Sequence, residues 1–528
     1  MTRRLLLLWG TLLCAVLCGS PAWALTPQQA RALVVGETED RIAALNKVLD
    51  GADDKTVALI QALSDDAVKF TDSAVFVMKN DKGHDPVSGA EVPVPEVAED
   101  VVNNNQMRSE LDTALASIKL FSADAQVRAE AVKTLAGEPD EAKLPLVEKA
   151  YAAEQVPAIK AALAAVRSAM LLGSSEAAKR LEAAKALGAT GTPATKTLLL
   201  DRQKVEPDAA VKRAIVASLA QIEGRLAWGE RLGVIFTGIS LGSILLLVAL
   251  GLAITYGLMG VINMAHGELM MIGAYATYVV QNVFKTWLPG AFDYYVLLAI
   301  PASFLAAALV GAALERSVIR WLYGRPLETL LATWGISLVL QQAVRSLFGA
   351  QNVPVENPAW LSGGVDVMSN LTLPFNRLAI IAFAVLVLIG VSLMIARTRL
   401  GLFVRGVTQN RKMAACMGVN TARIDTYAFA LGSGIAGLAG CALSQIGNVG
   451  PDLGQGYIVD SFMVVVLGGV GQLAGTVYAG LGLGVLNKLL EGWQGAVLAK
   501  IMVLVFIVIF IQKRPQGIFA MKGRSAEA

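Results

Sequence analysis

From residue 234 onward the chain is a succession of apolar stretches, and this limits its fold more than anything else in the sequence. They fall at 234–256, 262–280, 295–314, 327–347, 378–396, 425–446 and 497–511, with a glycine-broken region over 458–490. Their lengths approach the roughly 20 residues an α-helix needs to cross a bilayer. One junction is unusual. Between 234–256 and 269–280 the sequence reads Asn263-Met264-Ala265-His266-Gly267-Glu268. An amide, an imidazole and a carboxylate at bilayer depth are costly, and they persist only where they face protein or a watery path.

Composition divides the chain. Only 16% of residues are charged, against about 25% in a soluble protein, and the apolar excess lies almost wholly after residue 222. The net charge of +3 is small, and no basic run points to nucleic acid. Arg3 and Arg4, the apolar run 5–17 and Ala22-Trp23-Ala24 read as a secretory signal over 1–24, with the mature chain starting at Leu25. The alternative, an uncleaved first span, has a short apolar core against it. Cleavage leaves only Cys416 and Cys441, which imply no disulfide or metal framework.

Residues 25–225 are predicted to form an exported helical domain. Helix signals recur at 124–135, 145–151, 157–172, 175–187, 193–200 and 208–222. The opening Asp-x-x-Val-Arg/Lys stands at Asp124 and again at Asp208. The pattern resembles HEAT-type helix pairs stacked on a shared core. A small β-hairpin is expected from 74–78, the turn 80–83 and 91–94, with His84 as a solvated loop histidine. The domain carries no catalytic constellation, and an interaction module is the reading.

Residues 226–528 are predicted to be a polytopic α-helical membrane domain, so the fold class is all-α. Arg316, Arg320 and Arg325 follow the third span, and Arg397, Arg399, Arg405, Arg411, Lys412 and Arg423 follow the fifth. Both clusters belong on the cytoplasmic side, in agreement with an exported amino terminus. Eight simple crossings would leave the basic end (Lys513, Arg514, Lys522, Arg524) outside. Nine, with two passes through 458–490, puts it inside and is preferred.

Two motifs mislead. Gly432-Ser433-Gly434-Ile435-Ala436-Gly437 matches G-x-G-x-x-G but lies inside an apolar helix, so helix packing explains it better than a dinucleotide. No phosphate-binding G-x-x-x-x-G-K-[ST] occurs, so this chain does not hydrolyse ATP through such a loop. In the loop after the fifth span, Asn410, Ala414 and Gly418 recur every four residues, followed by Val419 and Asn420. That spacing puts small residues on one face of a short helix. The face suits close docking to a soluble partner, with an ordinary basic loop as the alternative.

Three segments together carry a resemblance: residues 262–268, the loop from Arg397-Thr398-Arg399-Leu400-Gly401 through 414–420, and Val465-Val466-Leu467-Gly468-Gly469-Val470-Gly471. They resemble the permeases of branched-chain amino acid ABC importers, over roughly residue 222 to the end. The long exported extension and Gln512-Lys513-Arg514-Pro515-Gln516-Gly517 resemble the urea-transporting branch. The resemblance implies a bacterial inner-membrane importer subunit with its amino-terminal domain in the periplasm. Its implied partners are membrane lipid, a second homologous permease, two cytoplasmic ATPase subunits that use the ATP, and a periplasmic substrate-binding protein. No cofactor is expected on this chain. Asn410, Ala414, Gly418, Val419 and Asn420 fall at the family's ATPase-coupling loop. For a small neutral substrate such as urea, Asn263, His266, Glu268, Thr333, Gln341 and Gln445 are the path candidates by type and depth. For each of them, a structural hydrogen bond or helix cap is the competing role. Branched-chain or related amino acids are the alternative substrate. A membrane-anchored sensor or scaffold is the alternative of a different class.

Overall fold

The computed structural model describes residues 25–519 except 50–52, 72, 80–81, 96, 138 and 261. The signal-sequence expectation (1–24), Lys522, Arg524 and the turn residues Asn80 and Asp81 lie outside the described residues. The chain divides into two compact units between Leu226 and Ala227.

The first unit contains helices α1 (Pro27–Ala32), α2 (Thr38–Leu49), α3 (Asp54–Ser64), α4 (Asn105–Lys119), α5 (Ala125–Gly137), α6 (Leu144–Ala153), α7 (Pro157–Leu171), α8 (Ala177–Thr190) and α9 (Pro193–Val205). It also takes the first turns of α10 (Ala209–Met259), whose remainder belongs to the second unit. The repeat has three helices, not the expected pair. The third helix of each copy starts at Asn105, Pro157 and Ala209, a constant spacing of 52 residues. Burial follows the same spacing: Met107, Leu111 and Ala114 in α4, Ile159, Leu163 and Val166 in α7, and Val211, Ile215 and Ser218 in α10 are all buried.

An arginine at the fourth position of each first helix locks the copy together. The Arg180 guanidinium donates to both Glu206 carboxylate oxygens at 3.0 and 2.8 Å, and to the Ser174 and Ser175 carbonyls at 2.9 and 2.8 Å. Exactly 52 residues earlier, Arg128 makes the same bonds to Glu154 and to the Ser122 and Ala123 carbonyls. Arg41 of α2 does a similar job for the Leu33 and Val102 carbonyls and the Asn103 amide oxygen. The shared opening at Asp124 and Asp208 is not this repeat. Both aspartates cap helices through Gln126 N at 2.8 Å and Ala210 N at 2.7 Å, but one precedes a first helix and the other a third. Capping chemistry alone selects Asp there.

The expected hairpin is a four-stranded antiparallel sheet, ordered β3-β2-β1-β4, from β1 (Val68–Phe70), β2 (Val75–Lys79), β3 (Lys82–His84) and β4 (Glu99–Asp100). It is set into the first repeat between α3 and α4. Residues 91–94 form no strand; Glu91 only bridges to His84. His84 therefore ends a half-buried strand instead of standing in a solvated loop.

The second unit continues with α11 (His266–Trp287), α12 (Tyr295–Ser317), α13 (Pro326–Phe348), a hairpin of β5 (Gly364–Met368) and β6 (Leu371–Pro374), then α14 (Phe375–Arg397), α15 (Arg399–Gln409), α16 (Arg411–Cys416) and α17 (Thr421–Ser444). The glycine-broken region resolves into α18 (Leu453–Gly468) and α19 (Leu473–Gln494), separated at Gly469, which takes φ +100°. The last helix is α20 (Ala496–Lys513). Six helices among the described residues are long and apolar enough to cross a membrane: 209–257, 289–317, 375–397, 421–444, 473–494 and 496–513. Helices α11 and α13 have the length but carry polar stripes, and α18 is apolar but shorter.

The bundle is glued by glycine. A Cβ on Gly432 would stand 2.6 Å from the Gly251 carbonyl oxygen, one on Gly437 2.5 Å from that of Ser303, and one on Gly434 2.5 Å from the Phe304 ring. Membrane helices lack a hydrophobic drive toward one another and associate through such close approach. The G-x-G-x-x-G run is thus a packing face of α17.

The clamp has a pH signature. The paired arginines hold the Glu154 and Glu206 carboxyls down at about 2, from the ordinary 4.5, chiefly by direct hydrogen bonding. A lowered folded value stabilises the fold above the ordinary value, and the contribution is lost as pH falls from 4.5 toward 2. Arg180→Met is expected to lower the thermal midpoint of the purified full chain at pH 7. It should also flatten the midpoint's dependence on pH between 4.5 and 2, read by circular dichroism.

Candidate functional site

The polar interruption is where the chain turns out of α10 and enters α11. Asn263 shapes the turn ahead of α11 by accepting the Ala265 amide on Oδ1 at 3.0 Å, and the Met264 amide donates across to Thr333 Oγ1 at 3.2 Å. Glu268 lies in the first turn of α11. Its Oε1 accepts from Ser337 Oγ at 2.7 Å and from Gln341 Nε2 at 2.8 Å, while its Oε2 has no protein partner.

The donors come from one stripe of α13. Thr329, Thr333, Ser337 and Gln341 recur every four residues, and all are buried. The opposite faces of α13 are apolar and exposed, at Leu327, Leu331, Val339 and Leu347. This helix is polar inside and apolar outside, the arrangement expected of a span that lies beside a polar route in a lipid surround.

His266 points the other way. Its Nε2 lies 3.2 Å from the Val248 carbonyl of α10. A carbonyl only accepts, so Nε2 carries the proton and Nδ1, without a protein partner, is the bare nitrogen. Gln445 belongs to a third place, at the end of α17. Its Nε2 donates to the Tyr295 hydroxyl at 3.1 Å, which donates to the Glu356 carbonyl at 2.7 Å, and Asn376 Nδ2 donates to the Gln445 carbonyl at 3.0 Å. The structure therefore gathers Asn263, Glu268, Thr333 and Gln341 along the α11–α13 seam and leaves His266 and Gln445 apart. All six are at most 5% exposed in the single chain. Ser337 belongs to the seam and is absent from the sequence reading. Its signal was present, since it stands four residues from both Thr333 and Gln341.

In the loop after α14, Asn410 caps α16 by accepting the Met413 amide at 3.0 Å, and Asn420 caps α17 by accepting that of Arg423 at 3.1 Å. Ala414 and Val419 pack against the main bundle core. Gly418 turns the chain at φ +84° with open space around it. The small face of α16 is thus turned partly to the bundle, and Met413 and Met417, with Leu402 and Phe403 of α15, are exposed apolar side chains of the loop.

Residues 234–511, which contain the seam and this loop, match the family described as branched-chain amino acid transport system / permease component. The chain belongs to that family. Among its relatives are the high-affinity branched-chain amino acid transport system permease protein BraD of Pseudomonas aeruginosa, 29% identical over 285 residues, and LivH of Escherichia coli K12, 29% identical over 293 residues. These alignments cover 53% and 54% of this chain and 93% of each relative. The probable branched-chain amino acid transport permease protein LivH of Methanocaldococcus jannaschii is 25% identical over 296 residues, 52% of this chain and 88% of its own. No solved structure matches. Family membership and the apolar helices make the second unit a multi-pass membrane domain. About half of this chain has no counterpart in those relatives.

Gln341→Leu leaves Glu268 with a single donor. A hydrogen bond between membrane helices is worth about 0.6–2 kcal/mol, so the variant is expected to insert but melt several degrees lower in detergent. Glu268→Gln, which keeps the shape and removes the charge, should melt closer to the parent.

Proposed function

We propose that this chain is one of two permease subunits of an ATP-driven inner-membrane importer, and that its substrate is a branched-chain or related amino acid. The observation that carries this reading is the family match over 234–511, which takes in the α11–α13 seam and the loop 397–423. Nine crossings, with α18 and α19 as separate passes, put the loop and the basic end on the cytoplasmic side. Residues 25–225 then stand in the periplasm as an interaction module built from HEAT-like repeats with three helices per copy.

The amino acid takes precedence over urea because the named relatives are branched-chain amino acid permeases. Urea stays as a second reading on two observations. The extension lies outside the family match, and the seam offers neutral donors and acceptors with one carboxylate and, among the described residues, no cation paired to it.

Mechanistically, the path runs between this chain and its partner permease, beside α13. A shift of α13 along its polar stripe exchanges the Glu268 partners for substrate without exposing them to lipid. Two ATPase subunits drive that shift from below, seated on Met413 and Met417, and a periplasmic binding protein delivers the substrate.

Uptake of radiolabelled leucine and urea by a deletion strain, with and without this chain, separates the substrates. Loss of leucine uptake with urea unchanged is expected; the reverse result moves the assignment to urea, and no loss of either defeats the importer reading. Met417→Glu is expected to abolish co-purification of the ATPases while leaving membrane insertion intact. It is a cleaner probe than any substitution at Gly418, where the positive φ strains every side chain.

A further inference from the structure

We infer that the ion pair Arg411–Asp425, together with the Glu315 node beside it, is the link that carries movement of α16 into the membrane helices. This rests on the importer reading above and specifies how its loop acts.

Asp425 is fully buried in the first turns of α17, and Arg411, the first residue of α16, donates to both its carboxylate oxygens. The Arg411 guanidinium also lies 5.3 Å from the Tyr323 ring centre. The Tyr323 hydroxyl donates to Glu315 at 3.0 Å and contacts Met259 Sδ, at the end of α10, at 3.1 Å. Glu315, fully buried at the end of α12, accepts in addition from Thr426 at 2.7 Å and from Arg320 at 3.2 and 3.3 Å. Arg320 reaches the Ala422 carbonyl and Thr426 of α17. The ends of α10, α12 and α17 therefore meet α16 in one polar knot.

A helix of six residues has little stability of its own, so its position is set by its anchors. Ala414 and Val419 supply an apolar contact that tolerates sliding. The pair does not. Drawing Arg411 away would leave a buried carboxylate without its counter-charge, which is strongly unfavourable. A push on α16 is thus transmitted to α17, and through Thr426 and Glu315 to α12. A merely stabilising surface pair would have its carboxylate in water, where such pairs contribute little. Arg411 and Asp425 are positioning residues: neither is assigned to touch substrate or nucleotide.

The test uses the full importer in proteoliposomes, reading solute transported per ATP hydrolysed and co-purification of the ATPases. Arg411→Gln is expected to lower transport per ATP about tenfold, a usual size for coupling between sites, with the ATPases still bound. Arg411→Lys should recover part of the loss. Replacing both partners, Arg411→Met with Asp425→Leu, removes the unpaired charge and should fold and assemble yet stay uncoupled. Arg399→Gln removes a charge from the same basic loop and should leave the ratio unchanged. The inference is overturned if the double variant couples normally, since then only the stranded charge mattered. It is equally overturned if Arg399→Gln uncouples to the same degree, or if both Arg411 variants lose the ATPases. A parent complex that transports neither leucine nor urea instead defeats the importer reading, and that is seen before any variant is made.

Discussion

Backbone-to-backbone contact at glycine is the constraint on which the second unit depends. Where Gly251 meets Gly432, and Gly437 meets the Ser303 carbonyl, no side chain stands between the helices. In lipid, dispersion contact at short range replaces the solvent drive that packs a soluble core. With Gly440 set against the Met270 carbonyl as well, helices α10, α11, α12 and α17 have little room to slide past one another and form a block. Helix α13 is attached differently, by Thr333, Ser337 and Gln341 on Met264 and Glu268. Hydrogen bonds can be exchanged one for another, whereas interlocked backbones cannot. The block gives the seam one rigid wall, and in the proposed cycle that wall moves as a unit against α13.

The first unit solves a different problem. It lies ahead of the apolar stretches and has no cysteine between Leu25 and Leu226, so each repeat must fasten itself. A guanidinium fork closes the gap between the first helix of a copy and the segment leading into the third. The two later copies repeat this geometry almost atom for atom. Each copy buries its own apolar set, with Leu135 in one and Leu187 in the next. Stability in such a stack accumulates copy by copy.

Much of this was legible in the sequence. The apolar stretches and their glycine interruptions marked most membrane helices of the second unit to within a few residues, because lipid imposes a simple length rule, but they hid that the stretch 234–256 and the expected helix 208–222 are one helix, Ala209–Met259. Asn263 and Glu268 were legible as path candidates because polar and ionisable groups at bilayer depth are rare and costly. What escaped were relations between residues far apart. The 52-residue period was hidden because Asp caps are common at every helix start, so the Asp124–Asp208 similarity drew the eye to the wrong offset. Arg128 and Arg180, with the matching Ala131/Ala183 and Leu135/Leu187, carried the true one. Ser337 escaped because a serine in an apolar helix usually bonds its own backbone. Asp425 was read only as the edge of a span, since nothing local says that Arg411 will find it.

The four-stranded sheet has a consequence of its own. It fills the connection between the second and third helices of the first repeat, from Ser64 to Asn105, whereas the second copy makes the same connection directly from Ala153 to Pro157. The clamp survives in both. That connection therefore accepts a folded insert without disturbing the stack. The equivalent bends near Gln155 and Pro207 are natural grafting points, where a reporter or a binding module would be carried by the solenoid much as the sheet is.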